Sequence, residues 1–502
     1  MTLKVHNCIF YNTFKTILNL TFSSIWLNEG FATYVESNIG TPFACPDNGA
    51  LERFILRFQD VMQEDSLTSS HPISVPVEHP EDTFQIFDGI SYSKGASVIR
   101  MMNHFIQDVT FRKGITAYLN KYMFGNARQD DLWEELNKVA HEDGTLAPDL
   151  SIKEIMDTWT LQMGYPVINV YRSFPNNVDT ITLSQERFLL FEDEAINDEP
   201  AYKWWVPVTF TTMNSPDFDD TTTSTWMKPE DETTTVTVGN HGGVLLVNVQ
   251  QTGFYRVNYA TENWRDISEL LKRNHTAVHI LNRAQILDDS MNLARSIHAD
   301  LDYDLALKQT EYLKNEKEYV PWSAALSGFN YLDEMLGRDQ IYGNFASYFI
   351  DLLTPIYEDL GFDPKEDDRF TDALLRTAVV KYLCKLHQEE CVANSIELFD
   401  LWLKTDVYEI DSSVKDSVYC TAISYGEEEE WNFLWDKMLK TNNAEEKGII
   451  INSLGCSSQI WQLQVYTSFI IMLLHFPIIS IEIWQKNYKS EIISFLRTIL
   501  KE

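Results

Sequence analysis

Apolar residues recur at three- and four-residue intervals through most of positions 25–165. "IWLNEGFATYVES" (25–37), "SKGASVIRMMNHFIQDV" (93–109) and "QDDLWEELNKVA" (129–140) each read as a helix with one apolar face. Asp130 and Asp131 suit the first turn of the third, where the helix dipole favours acids. In "SIKEIMDTWTLQMGYP" (151–166), Ser151 is placed to cap and Glu154 follows at capping-box spacing. That helix is expected to end before Pro166.

The period then changes. "VINVYRSF", "DTITLSQERFLLF", "WWVPVTFTT", "TTTVTV" and "GVLLVNVQQTGFYRVNY" are short runs rich in Val, Thr, Phe and Tyr. Loops of Asn, Asp, Pro and Gly separate them, which predicts a small all-β unit over 166–260, most simply a sandwich. From Thr261 helical spacing returns and persists to about 464, in segments of one to two dozen residues with short polar joints. Such a series predicts stacked helix pairs of the superhelical HEAT or armadillo type, although no strict sequence period is present. The acids Glu427 to Glu430 fall at a helix start and read as a solvated cap. The expected fold class is therefore mainly α with one small all-β domain.

Both ends break the pattern. Residues 1–24 do not read as a convincing signal peptide, because polar residues interrupt the apolar stretch and no small-residue cleavage site follows. Val465 to Ile481 is uncharged but only at the lower edge of a membrane span, with His475 and Pro477 inside it. A buried helix is the commoner reading of such a stretch. The domain division expected is 1–24, 25–165, 166–260, 261–464 and an atypical tail 465–502.

Composition narrows the partners. The 502 residues hold 40 basic and 74 acidic side chains, a net charge of −34, so nucleic acid is excluded as a partner. Six cysteines include Cys384 and Cys391, and Cys420 and Cys456, at spacings unlike a zinc knuckle. Bonded in sequence order, they would close loops worth about 2.5 and about 4 kcal/mol. Four buried free thiols fit the composition equally well. Asn274-His275-Thr276 is a glycosylation sequon.

Glu29 is the first candidate for chemistry. A carboxylate held on a helix is a standard third ligand of catalytic zinc, after two histidines of an H-E-x-x-H helix. Alone, Glu29 would be a surface acid. It is followed in order by "GISYSKGASVIRMM" (89–102), "TWTLQMGYPVINV" (158–170), "GFYRVNY" (253–259), "NRAQILDDSMNLA" (282–294), "PWSAALSGFNYL" (321–332) and "NSLGCSSQIW" (452–461). With "WLNEGFATYVES" (26–37), these seven segments closely resemble the M1 family of zinc aminopeptidases, in particular the aminopeptidase N group. The resemblance implies the later, helical part of a thermolysin-like catalytic domain, a β-sandwich and a C-terminal helical bowl. It implies Glu29 as third zinc ligand and Tyr92 as the catalytic tyrosine that donates to the oxyanion of the tetrahedral intermediate. It also favours the disulfides Cys384–Cys391 and Cys420–Cys456. Peptide substrates and an extracellular setting follow, and membrane attachment of the full-length protein or a homodimer is compatible with it.

The chain departs from that family upstream of Ile25. The positions of the two histidines and the base are His6, Phe10 and Asn7, so "HNCIF" stands where H-E-x-x-H is expected. The motif that would hold the substrate's amino terminus is missing too. One carboxylate does not hold catalytic zinc. The expectation is a chain inactive as written, an authentic family segment flanked by unrelated sequence. The alternative is a non-catalytic binding or receptor protein that uses the helical bowl and the sandwich.

Overall fold

The computed structural model describes residues 25–40, 49–76, 86–191, 202–238, 242–296, 301–407 and 409–475. "HNCIF" and everything after His475 lie outside them. Grouped by contacts, the chain forms two compact units: one up to Phe345 together with Arg369–Thr371, and one of Ala346–Asp368 with everything from Asp372.

Among its described residues the first unit begins with six helices: α1 Ile25–Val35, α2 Ala50–Asp65, α3 Gly95–Ile106, α4 Asp108–Lys121, α5 Gln129–Asp143 and α6 Ile152–Thr160. The run expected as one helix over 93–109 is divided. A wide π turn, Ile90–Lys94, leads into α3, and Gln107 at φ 69° stops it before α4 begins. Helix α5 starts as its acids predict, with Asp131 accepting from the Arg128 N–H at 2.7 Å. Ser151 caps α6 by accepting from the Glu154 N–H at 3.4 Å. That helix ends at Thr160, several residues short of Pro166.

Eight strands follow: β1 Pro166–Ser173, β2 Thr180–Arg187, β3 Val206–Val208, β4 Phe210–Thr212, β5 Thr225–Met227, β6 Thr234–Thr237, β7 Leu245–Val247 and β8 Arg256–Tyr259. They make one four-stranded sheet in the order β6-β2-β1-β8 and two two-stranded ladders, β3-β5 and β4-β7. The apolar run 244–259 is not one strand. Asn248, Gln250 and Gln251 take positive φ, and a short turn over Val249–Gln251 separates β7 from β8. Strand β8 then pairs parallel to β1, Val167 opposite Arg256.

The unit closes with α7 Thr261–Asn274, α8 Ile280–Arg295, α9 Tyr303–Lys308 and α10 Tyr319–Leu336. Helix α8 is buried continuously from Leu281 to Leu293, because it packs on β8, α10 and α2 together. The second unit is helical. It takes most of α11 Tyr342–Leu360, then α12 Phe370–Lys385 from Asp372 on, α13 Glu389–Thr405, α14 Lys415–Tyr425, α15 Glu428–Lys440, α16 Ala444–Leu454 and α17 Ile460–His475. Glu427–Glu430 begin α15, where the Glu427 N–H donates to Glu430 at 2.8 Å.

In this unit Cys384 is bonded to Cys391 and Cys420 to Cys456. Helix α17 corrects the reading of a buried apolar segment in its described part. Between Trp461 and Ile471 the buried positions are Gln462 and Phe469, and the others are partly or fully exposed. Among the described residues no helix is long and apolar enough to cross a membrane.

Candidate active site

Glu29 and Tyr92, separated by 63 positions, meet where Gly30 lets α1 touch the start of α3. A β-carbon at Gly30 would lie 3.0 Å from the carbonyl carbon of Gly95 and 3.3 Å from the Ala96 nitrogen. Backbone therefore packs on backbone where α1 crosses the start of α3. Glu29 immediately precedes one glycine, and the π turn carrying Tyr92 immediately precedes the other. The Gly in "NEG" is thus required by packing, whereas a β-carbon at Gly95 would make only ordinary contacts, 3.4 Å from Gly30 Cα and 3.5 Å from the Trp26 ring.

That turn is pinned at both ends. At its start Asp88 accepts from the Ser91 N–H at 3.1 Å, and its carbonyl accepts from the Tyr92 N–H at 3.1 Å. The other Asp88 oxygen lies 2.6 Å from His71 Nε2, while His71 Nδ1 lies 2.8 Å from the Pro72 carbonyl. Both ring nitrogens face acceptors, which only the imidazolium satisfies. The Asp88 hydrogen bond accordingly raises the His71 pKa above its ordinary value, against a smaller opposing effect of burial. Burial pushes Asp88 upward, but the His71 contact and the backbone donors outweigh it and leave Asp88 lowered.

At the far end Lys94 is fully buried. It reaches Asp65 of α2 at 2.8 Å and donates to the Gly164 carbonyl at 3.0 Å. Asp65 in turn accepts from the Gly164 N–H at 3.0 Å and from Ser70 at 2.6 Å. Gly164 sits at φ 73°, where a side chain would be strained. Next to it, the Tyr165 hydroxyl donates to the Met62 carbonyl at 2.8 Å. The "QMGYP" segment is therefore the seat of the Tyr92 turn.

The Tyr92 phenol is partly buried. Burial, then the charge of Glu29 and a hydrogen bond to it, push its pKa up to about 12. Such a phenol stays protonated and able to donate across the neutral range. On the other side of Glu29, Asn28 has a buried amide oxygen without a hydrogen-bond partner among the described residues.

A second motif pair serves the scaffold. Buried Arg256 of β8 lies 2.6 Å from Asp288 and 3.0 Å from Asp289, both buried on α8. Asp289 also accepts from the Val257 N–H at 3.1 Å, so "GFYRVNY" and "NRAQILDDSMNLA" lock to each other. Arg100 donates to the Gln251 carbonyl at 2.7 Å, tying α3 to the turn between β7 and β8.

Residues 16–159 match the peptidase family M1 domain, and residues 244–496 match the ERAP1-like C-terminal domain. The chain belongs to the M1 peptidase family. It is 34% identical to aminopeptidase N of Plutella xylostella over 436 residues, covering 86% of this chain and 45% of that protein. Human aminopeptidase N is 34% identical over 462 residues, 89% of this chain and 46% of the relative. The rat thyrotropin-releasing hormone-degrading ectoenzyme is 33% identical over 449 residues, 87% and 41% of the two chains. The chain thus spans a little under half the length of the relatives it matches. The two family matches reach further toward both termini than the seven collinear motifs do. Glu29 and Tyr92 both fall in the M1 peptidase domain match.

Zinc is the metal that the M1 family implies. Among the described residues no three His, Cys, Asp or Glu side chains stand close enough to hold a metal ion. Positions 6, 7 and 10 lie outside the described residues. The described residues by themselves therefore do not fit a three-ligand zinc site, and Glu29 is the one expected ligand among them. Sequence reasoning missed the supports: His71, Asp88, Lys94 and Asp65. The available signal was Lys94, a charged residue inside an otherwise apolar helical run.

Proposed function

We infer that this chain is a segment of an M1 zinc aminopeptidase whose full-length form removes residues singly from peptide N-termini. The observation that carries the reading is the Glu29–Tyr92 pair, brought together by the Gly30–Gly95 contact inside the M1 domain match. In this reading Glu29 is the third zinc ligand of the intact enzyme. Tyr92 donates its phenolic proton in a hydrogen bond to the oxyanion that forms on the peptide carbonyl. The catalytic remnant over 25–165, the sandwich over 166–260 and the superhelical bowl over 261–464 are the domains we assign on the same basis.

The chain as written does not turn over substrate, in the same proposal. His6, Asn7 and Phe10 stand where two histidines and a glutamate base are needed, so neither the ligand set nor the base is complete. Hydrolysis of leucine p-nitroanilide and zinc content of the purified chain test this. We expect neither turnover nor stoichiometric zinc, and turnover with one zinc per chain overturns the claim of inactivity. Peptide binding without zinc or turnover favours the alternative, a non-catalytic binding protein. The site assignment is tested separately by joining residues 25–502 to the upstream H-E-x-x-H half of a relative. Tyr92→Phe in an active fusion is expected to lower kcat by about a hundredfold or more with KM little changed. A kcat unaffected by Tyr92→Phe refutes the role of the phenol.

An extracellular setting belongs to the same reading, and it is compatible with membrane attachment or a homodimer of the full-length protein. Two disulfides and a relative named an ectoenzyme support it. Asn274 is exposed at the end of α7, where the Thr276 hydroxyl donates to its side-chain oxygen at 2.8 Å. We assign it as a glycosylation site. Secretion from an insect cell and treatment with an endoglycosidase should give a mobility shift that Asn274→Gln abolishes.

A further inference from the structure

Within the second unit, α12, α14 and α16 enclose a cavity of about 470 Å³ that both disulfides line. This volume lies within the range of small-molecule sites, roughly 300–1,000 Å³. Its wall mixes hydroxyl, amide and charged side chains with the sulfurs of Cys384, Cys420 and Cys456 and the Tyr425 ring, a polarisable patch against which an aromatic or aliphatic body can rest.

Two features mark it as built to hold something. Ser417 of α14 lines it, is 4% exposed, and its hydroxyl has no hydrogen-bond partner among the described residues. A buried hydroxyl left unpaired costs about 1–3 kcal/mol, which a ligand atom at that point would offset. The rim, second, runs against the charge of the chain. In a protein of net charge −34, Lys381, Lys385 and His387 face one acid, Asp416. His387 is held at φ 62°, its Nδ1 lies 2.7 Å from the Tyr425 hydroxyl, and the two rings meet edge to face. Positive φ is uncommon for a residue with a side chain, and here it sets the imidazole at the mouth.

We propose that this cavity is a binding site for a small amphipathic carboxylate. The carboxylate sits at the lysine rim, the apolar body lies against the disulfides and the Tyr425 ring, and a polar atom reaches the Ser417 hydroxyl. The site is separate from Glu29 and Tyr92 in sequence and in compact unit, and it stands whether or not the aminopeptidase reading does.

Calorimetric titration of the full chain with 4-phenylbutyrate, and with the uncharged 4-phenylbutanol, tests it. The acid should bind saturably at one site, about tenfold or more tighter than the alcohol. Lys381→Glu reverses charge on an exposed side chain without touching the core, and should weaken the acid by about tenfold or more. Ser417→Leu fills the floor of the cavity and should abolish binding; its unfolding midpoint shows whether the unit still folds. Absence of saturable binding, equal affinity for acid and alcohol, or wild-type affinity in Lys381→Glu overturns the proposal.

Discussion

At Gly30 an added β-carbon would meet the carbonyl carbon of Gly95 and the nitrogen of Ala96, and neither atom can rotate away. Relief would come only by separating the helices that bring Glu29 to Tyr92. Gly30→Ala is therefore expected to destabilise the chain by about 1–3 kcal/mol, as overpacking does. Gly448, inside α16, has nothing within 4 Å of the same added atom, so Gly448→Ala should stabilise by up to about 1 kcal/mol. Urea midpoints of the two variants should move in opposite directions, and a shared direction would refute the packing argument. His71 supplies a pH test at the same scale. Its folded pKa is raised above the ordinary 6.5, so its contribution is full below that value and is lost as pH rises through the raised pKa. Asp88, lowered below 3.8, keeps its contribution above that value and loses it as pH falls through the depressed pKa. Nuclear magnetic resonance should show the His71 ring titrating above 6.5, and Asp88→Asn should bring the midpoint down. A midpoint at or below 6.5 in the unsubstituted chain would show that the pair does not form.

Helix α8 and strand β8 form the element on which the first unit turns. The helix is buried on every side, and the charged groups it carries at Asp288 and Asp289 are satisfied by Arg256 and by backbone N–H. Burial raises both aspartates above the ordinary carboxylate range against the pull of Arg256. Removal of the arginine leaves two buried acids with no counter-charge. Arg256→Met is expected to cost about 3–5 kcal/mol of stability, read from denaturant melts. Replacing both aspartates by Asn in the Arg256→Met background should recover part of that loss, since neutral amides carry no buried charge. A loss below 1 kcal/mol for Arg256→Met, on the order of an exposed pair, would refute the assignment. The periodicity of 282–294 shows a helix but cannot show this, because the partner lies on a strand reached through a positive-φ turn. Apolar alternation over 244–259 likewise reads as one strand. The turn inside it is made by Asn248, Gln250 and Gln251, which lack the glycine or proline that usually announces one.

Among the described residues most helix and strand segments are legible from their periods, while the breaks at Gln107 and between β7 and β8 are not. Nor are pairings between distant segments, because the parallel contact of β1 with β8 and the meeting of Gly30 with Gly95 depend on tertiary packing that no local pattern carries. The cysteines illustrate the same limit, since spacing alone left bonded and free thiols equally open. In the structure each bond does a different job. Cys384–Cys391 spans seven positions across the α12–α13 joint, where the Gln388 N–H already donates to Leu383 at 2.9 Å and Gln388 Oε1 accepts from the Cys391 N–H at 2.7 Å. Cys420–Cys456 spans 36 positions and ties α14 to the residues just after α16. The longer loop loses more unfolded-state entropy, so its removal should cost about 4 kcal/mol against about 2.5 for the shorter. The hydrogen bonds that close the shorter joint remain when its disulfide is gone, which keeps its loss at or below that figure. Cys420→Ala with Cys456→Ala should therefore lower the melting temperature of the second unit more than Cys384→Ala with Cys391→Ala does. Calorimetry of the two double variants checks this, and the reverse order would mean that native packing around the sulfurs, not loop closure, sets their contribution.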